Sequence, residues 1–230
     1  ASLYHPGEGG KGMSPVRMLI CLLVGYLFGN LPSGYLYAKL HGVDIYHAGS
    51  GNPGSTNVLR TLGKRAGATV LLMDIAKTVL PIFFLSLFWK PETEDMQSLI
   101  TLFAGLGAVL GHNYPLLPGI KGGKGVACTG ALLLAFDWRL ALLLLALFIL
   151  IVMLTHYVSL GSMIAASCFF LSVLFFGKTG FLPMSSAIYR ECCILSFLIS
   201  GLCVFQHRSN IGRLLNGTEN KIGEKKKQDG

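Results

Sequence analysis

Long apolar runs separated by short polar, glycine- and proline-bearing stretches dominate the chain. They predict helices at about Met18–Leu40, Gly67–Trp89, Gln97–Tyr114, Val126–Phe136, Leu140–His156, Leu160–Phe176 and Glu191–Phe205. About 20 apolar residues are needed to cross roughly 30 Å of hydrocarbon. Val126–Phe136 is short of that length, so a six-span arrangement, with this run re-entrant or fused to the next, competes with seven spans. Composition agrees with a membrane protein: 52% of residues are hydrophobic, 13% are charged, and the mean hydropathy is +0.59. The expected fold is therefore all-α, an integral membrane bundle of seven transmembrane helices, with no stretch polar and long enough to build a separate soluble core.

Charge orients the bundle. In the seven-span arrangement one face carries Lys39, Arg60, Lys64, Arg65, Lys121, Lys124, Arg208, Arg213, Lys221, Lys225, Lys226 and Lys227, and the other Lys11, Arg17, Lys90, Arg139, Lys178 and Arg190, a split of 12 to 6. The richer face is expected to be cytoplasmic, with the N-terminus outside and the C-terminus inside. The net charge of +8 is spread over loops beside spans, without a nucleic-acid motif, so membrane lipid and phosphorylated small molecules are the expected partners and nucleic acid is not. The six cysteines lie in apolar stretches without CxxC or Cys/His metal spacing. Residues 1–12 carry no signal-peptide pattern and are expected to be an expression remnant; residues 216–230 are expected to form a basic cytoplasmic tail.

Three polar clusters interrupt the apolar pattern, all on the expected cytoplasmic side: Gly49–Arg60, Gly122-Gly123-Lys124-Gly125, and His207–Arg213. Each combines glycine-freed backbone N–H groups, cations and short hydroxyl or amide side chains, which suits a phosphate oxyanion. Ser55 or Thr56 is placed to cap a short helix running toward Arg60. Gly122–Gly125 is not a Walker A loop, because Lys124 is followed by Gly125 and no strand precedes it. His207 is the candidate for proton transfer, and Asn210 shares its helical face. His112, His156 and His207 all sit at helix ends on this side, yet a phosphate-bridging metal would want carboxylates, and Asp44 and Glu219 are the ones nearby, so no metal is expected. Asp74 and Lys77, three apart in the second span, read as an intramembrane ion pair.

Together these segments, GSGNPGSTNVLR at 49–60, GHNYPLLPGIKGGKGVA at 111–127 and HRSNIGRLLNGTE at 207–219, closely resemble the bacterial acyl-phosphate:glycerol-3-phosphate acyltransferase family. The resemblance implies a seven-helix inner-membrane acyltransferase domain over residues 13–215, with its active site facing the cytoplasm. It implies transfer of a fatty acyl group from acyl phosphate to the 1-hydroxyl of glycerol 3-phosphate, giving lysophosphatidic acid and phosphate. It implies no cofactor and no obligatory protein partner. By resemblance, His207, Asn210 and Ser50 are assigned to catalysis, and Asn52, Arg60, Gly122, Gly123, Lys124, Gly125, Ser159 and Arg208 to substrate binding. A transporter of an organic phosphate is the competing class, and a non-catalytic lipid-binding scaffold a third.

The charge pattern predicts that Asn57, Lys124 and Asn216 face the same, cytoplasmic compartment. Single cysteines at these positions on a cysteine-free background should resist impermeant external reagents in sealed cells; labelling of any of them from outside would break the one-sided site.

Overall fold

The computed structural model describes residues 13–222; the expected remnant at 1–12 and the lysines Lys225–Lys227 lie outside that range. Its helices are α1 (Pro15–Gly29), α2 (Ser33–Leu40), α3 (Ser55–Leu62), α4 (Lys64–Trp89), α5 (Glu94–Asn113), α6 (Val126–Phe136), α7 (Trp138–Thr155), α8 (Val158–Phe176), α9 (Tyr189–Gln206) and α10 (Arg208–Leu215). Among the described residues there is no strand.

By length and composition, five helical stretches can cross a membrane: residues 15–40 taken through α1 and α2, α4, α7, α8 and α9. Their outward faces carry large apolar side chains such as Leu72, Phe88, Leu143, Met153 and Phe175, each more than half exposed, as a lipid-facing surface requires. α6, at 11 residues, is only about 16 Å long. α5 is long enough but less apolar, because it is the interior helix: 14 of its 20 residues are buried.

The first apolar run is not one helix. Asn30, Leu31 and Pro32 break it, since proline restricts the residue before it and cannot donate to the preceding turn. The freed carbonyl of Leu31 accepts from Lys77 Nζ at 2.8 Å, and the Asn30 side chain ties the break to the loop after α5, its Oδ1 accepting from Leu116 N at 2.6 Å. Neither Ser55 nor Thr56 caps α3; Gly54 occupies the cap without a side-chain bond. The 121–125 stretch is irregular, and Gly125 enters α6 with φ +75°.

Helix ends meet at two poles. At one, Arg17 lies over the Trp89 ring, Arg139 Nη2 bonds Phe181 O, and the Asp95 carboxylate accepts from Ser185 N at 2.7 Å. At the other, Tyr26 OH bonds Tyr114 O, Tyr46 OH bonds Lys121 O, Arg60 reaches Asn220 O, and Ile222 N donates to His156 O. Residues 217–222 are thus folded onto the second pole, Asn220 and Ile222 meeting Arg60 and His156.

α1 and α5 pack with backbones nearly touching. A Cβ on Gly25 would overlap Ala104 O, one on Gly29 would overlap Ala108 O, and one on Gly107 would overlap Leu22 O. Gly25 and Gly29, four apart, face Ala104 and Ala108, while Gly107 and Gly111, four apart, face the α1 backbone at Leu22–Tyr26 and Tyr26–Asn30, the small-residue spacing that brings membrane helices into close contact. Gly107→Val should therefore destabilise the fold by about 1–3 kcal/mol or more, lowering the detergent-solubilised melting temperature. Gly201→Ala, with open space around the added methyl, should leave it unchanged or raise it.

Candidate active site

The three polar clusters converge at the second pole on a cavity of about 740 Å³. Its mouth is lined by Ser50, Asn52, Arg60, Lys124, His207, Asn210, Arg213 and Glu219, and its inner wall by apolar residues of α6, α7 and α8, among them Leu134, Leu145, Phe148 and Ala165. A charged rim on an apolar trough fits a ligand with an ionic head and a hydrocarbon tail.

Glu219 is the hub of the rim. Its Oε1 accepts from Ser159 Oγ at 3.0 Å and from Asn210 Nδ2 at 2.7 Å, and its Oε2 pairs with Arg213 Nε at 2.8 Å. With its Nδ2 committed to Glu219, Asn210 turns its Oδ1 to Lys124 Nζ, 2.5 Å away. One carboxylate thereby fixes groups from α8, α10 and the loop before α6.

The lining is electropositive: Arg60, Lys64, Lys124 and Arg213 outnumber the carboxylates Asp74 and Glu219. Burial, with Arg213 and Arg60 nearby, lowers the Lys124 pKa to about 8, despite the opposing Glu219 charge. Burial also lowers the pKa of Arg60, whose guanidinium stays charged at any accessible pH. In loop 49–54, Asn57 Oδ1 accepts from Ser50 N at 2.8 Å and its Nδ2 donates to Ala48 O at 2.9 Å, while Asn52 Oδ1 accepts from Gly54 N. These side chains shape the backbone at the start of α3, whose first N–H groups have no helical acceptor.

His207 sits between α9 and α10, 3% exposed, with Nδ1 2.7 Å from Cys203 O. A carbonyl only accepts, so Nδ1 carries the proton and Nε2 holds the lone pair of the neutral ring. Burial is the largest influence on its pKa, lowering it to about 4, so the ring is uncharged at neutral pH.

Of the residues expected from the sequence, His207, Asn210, Ser50, Asn52, Arg60, Lys124, Gly125 and Ser159 line this cavity. Gly122, Gly123 and Arg208 do not. Gly122 and Gly123 pack behind the loop, on the backbone of His112–Asn113 and the His112 ring, and only Gly125 of the three has a positive φ. Arg208 is exposed, donates to Phe205 O and Gln206 Oε1, and lies over the Phe205 ring, so its charge is turned out of the site. Ser159 lines the wall, but its hydroxyl proton goes to Glu219.

Sequence reasoning passed over Arg213 and Glu219, which lie inside the third motif; the buried pairing of their charges was the missing signal. The expected ion pair is present, Lys77 Nζ lying 2.9 Å from Asp74 Oδ1. The three helix-end histidines do not gather: His112 and His207 line the cavity and His156 does not. Ligand-type atoms of Asp74, His112 and Cys128 lie within 4.8 Å of one another, but the Lys77 ammonium contacts two of these residues and fills that place.

A family model described as glycerol-3-phosphate acyltransferase matches residues 19–217. The chain belongs to the glycerol-3-phosphate acyltransferase family. A glycerol-3-phosphate acyltransferase of Clostridioides difficile is 42% identical over 213 residues, covering 90% of this chain and 97% of the relative. One of Crocosphaera subtropica is 37% identical over 217 residues, covering 92% and 96%. The crystal structure of PlsY (YgiH), an integral membrane glycerol 3-phosphate acyltransferase, in its glycerol 3-phosphate form superposes with a TM-score of 0.75 at 35% identity, covering 90% of this chain and 96% of that one. Its lysophosphatidic acid form gives a TM-score of 0.73 at the same identity. The chain is accordingly an integral membrane enzyme of lipid biosynthesis, an acyltransferase acting on glycerol 3-phosphate.

For this acyltransferase the lowered Lys124 pKa sets a pH dependence. An ammonium attracts phosphate where a neutral amine does not, so a phosphate-binding Lys124 predicts that kcat/KM for glycerol 3-phosphate, which reports the free enzyme, falls as pH rises through about 8. A pH profile of Lys124→Arg should lack that alkaline fall, because guanidinium does not titrate there. An identical fall in both would assign it to another group.

Proposed function

We propose that the chain transfers a fatty acyl group from acyl phosphate to the 1-hydroxyl of glycerol 3-phosphate, forming lysophosphatidic acid and inorganic phosphate in the first step of phospholipid synthesis. The observation that carries this reading is the meeting of Arg60, Lys124, Arg213, His207 and Asn210 at the mouth of a cavity that is apolar beyond its rim. Both substrates bring phosphate to the cations, one of them with a hydrocarbon chain for the trough. We place the enzyme in a bacterial inner membrane, with α1 and α4–α9 as seven crossings, the N-terminus outside, and the cavity mouth and C-terminus cytoplasmic. The 12 to 6 charge split supports that orientation.

In this mechanism Lys124 and Arg60 neutralise phosphate oxygens, and Arg213 and Glu219 hold the rim in shape. The His207 Nε2 lone pair accepts a hydrogen bond from the 1-hydroxyl and orients it toward the acyl carbon. The hydroxyl oxygen attacks that carbon, the acyl–phosphate bond breaks, and phosphate leaves. With His207 near 4 and a substrate phosphate near 6, a phosphate oxygen is the stronger base and takes the hydroxyl proton. Asn210, oriented by Glu219, steadies Lys124 throughout. Ser50 and Asn52 line the mouth on the α3 side. A transporter of an organic phosphate would need its polar sites open alternately to both poles, whereas the polar rim sits at one.

Purified protein in lipid, given acyl phosphate and labelled glycerol 3-phosphate, should form labelled lysophosphatidic acid, and acyl-CoA as sole donor should give none. Equal turnover with acyl-CoA would refute the donor assignment. His207→Ala should lower kcat with a smaller effect on KM, because its hydrogen bond strengthens as the hydroxyl attacks.

A further inference from the structure

We infer that His112 is a positioning residue for Lys124, acting through Gly123, and that the buried Asp74–Lys77 pair beneath the loop sets the orientation of its ring. The inference rests on the phosphate-binding role of Lys124 proposed above and adds three residues to which that reading gives no part.

Lys77, on α4, reaches three acceptors: Leu31 O at 2.8 Å, Asp74 Oδ1 at 2.9 Å and His112 Nδ1 at 2.8 Å. The Leu31 and His112 contacts are hydrogen bonds and the Asp74 contact is an ion pair; an ammonium has no lone pair, so the His112 contact makes Nδ1 the acceptor. Asp74 Oδ1 also lies 3.5 Å from Nδ1, a longer approach that the shorter lysine contact overrides. The imidazole is therefore locked in one rotation, its Nδ1 edge facing the ion pair and its opposite edge facing the loop.

That opposite edge is what Gly123 rests on. A Cβ on Gly123 would overlap His112 Nε2 and come within 2.9 Å of Cε1 and 3.2 Å of Cδ2. The backbone gives a second tie, Gly123 N donating to His112 O at 3.1 Å. Gly123 does not have a positive φ, so a side chain is barred there by the ring and not by the backbone conformation. The next residue is Lys124, whose ammonium stands 2.5 Å from Asn210 Oδ1 at the cavity rim. A loop displaced by a methyl group's width would carry that ammonium out of hydrogen-bond range. A buried ion pair adds little stability over apolar side chains of equal volume, and its effect here is to fix geometry.

The decisive experiment couples the two sides of the ring. His112→Asn keeps an amide oxygen near the Nδ1 position for Lys77 and removes the edge that meets Gly123. Gly123→Ala alone should raise KM for glycerol 3-phosphate by about 10- to 150-fold, the effect of losing a bond to a charged group, with kcat changed far less. In the Gly123→Ala/His112→Asn double variant the methyl fills the vacated space, so KM should lie at least about tenfold below the product of the two single effects. Lys77→Gln, at a residue that does not itself line the cavity, should raise KM in the same direction as Gly123→Ala. Effects of the two single changes that simply multiply, or a Lys77→Gln enzyme with unchanged KM, would overturn the inference. Thermal-shift titration with inorganic phosphate supplies the same cycle without acyl transfer, so loss of coupling is distinguishable from a wrong donor or acceptor. Should His112→Asn not fold, Lys77→Gln and Gly123→Ala in that titration decide alone: unchanged phosphate affinity in either refutes the role.

Discussion

Everything at the rim depends on the Glu219 carboxylate. A carboxylate that is 9% exposed is costly unless each oxygen is paired, and this one is met by Ser159, Asn210 and Arg213. Those partners come from α8 and α10, and through Asn210 the network reaches Lys124 in the loop before α6. Without the carboxylate, Arg60, Lys124 and Arg213 would face one another as like charges in a partly buried pocket. With it, the cations are held apart and in place while still outnumbering the negative charge, so the site remains attractive to phosphate.

A second constraint comes from the apolar surroundings, where unsatisfied backbone and buried charge are expensive. The break between α1 and α2 exposes Leu31 O, and Lys77 satisfies it. The same lysine neutralises Asp74 and orients His112, so one buried charge repairs a broken helix and supports the loop that carries another. The close approach of α1 to α5 through their glycines brings the end of α1 and the end of α5 together, which lets this repair and the Gly122–Gly125 loop share one pole.

The separation of polar and apolar environments suits the soluble glycerol 3-phosphate and, on the function proposed above, an acyl-bearing donor. Polar groups are concentrated at one pole, and the cavity continues inward along residues of α6, α7 and α8 that offer no hydrogen bonds, such as Leu133, Leu144 and Phe148. Such a trough makes an acyl chain's position a matter of burial and the headgroup's position a matter of charge, two forces that act independently on the two ends of the ligand.

The apolar runs alone determined the helical membrane class and most helix positions, because hydropathy and length act locally along the chain; Val126–Phe136 coincides with α6. The three motifs likewise identified the family and seven of the residues that line the cavity, with Ser159 an eighth from the turn before α8. Tertiary structure decided the rest. The carbonyl of Leu31 before Pro32 finds its partner in a lysine from another helix, the requirement at Gly123 comes from a histidine of another helix, and the outward turn of Arg208 from the Phe205 ring beside it. Sequence alone puts Glu219 near the clusters but in a basic tail, because its partners Ser159, Asn210 and Arg213 become neighbours only when residues 217–222 fold back. Side-chain periodicity reports which face of one helix is apolar. Which charges meet, and which glycines must stay bare, depends on how separate helices are stacked, and that information is non-local.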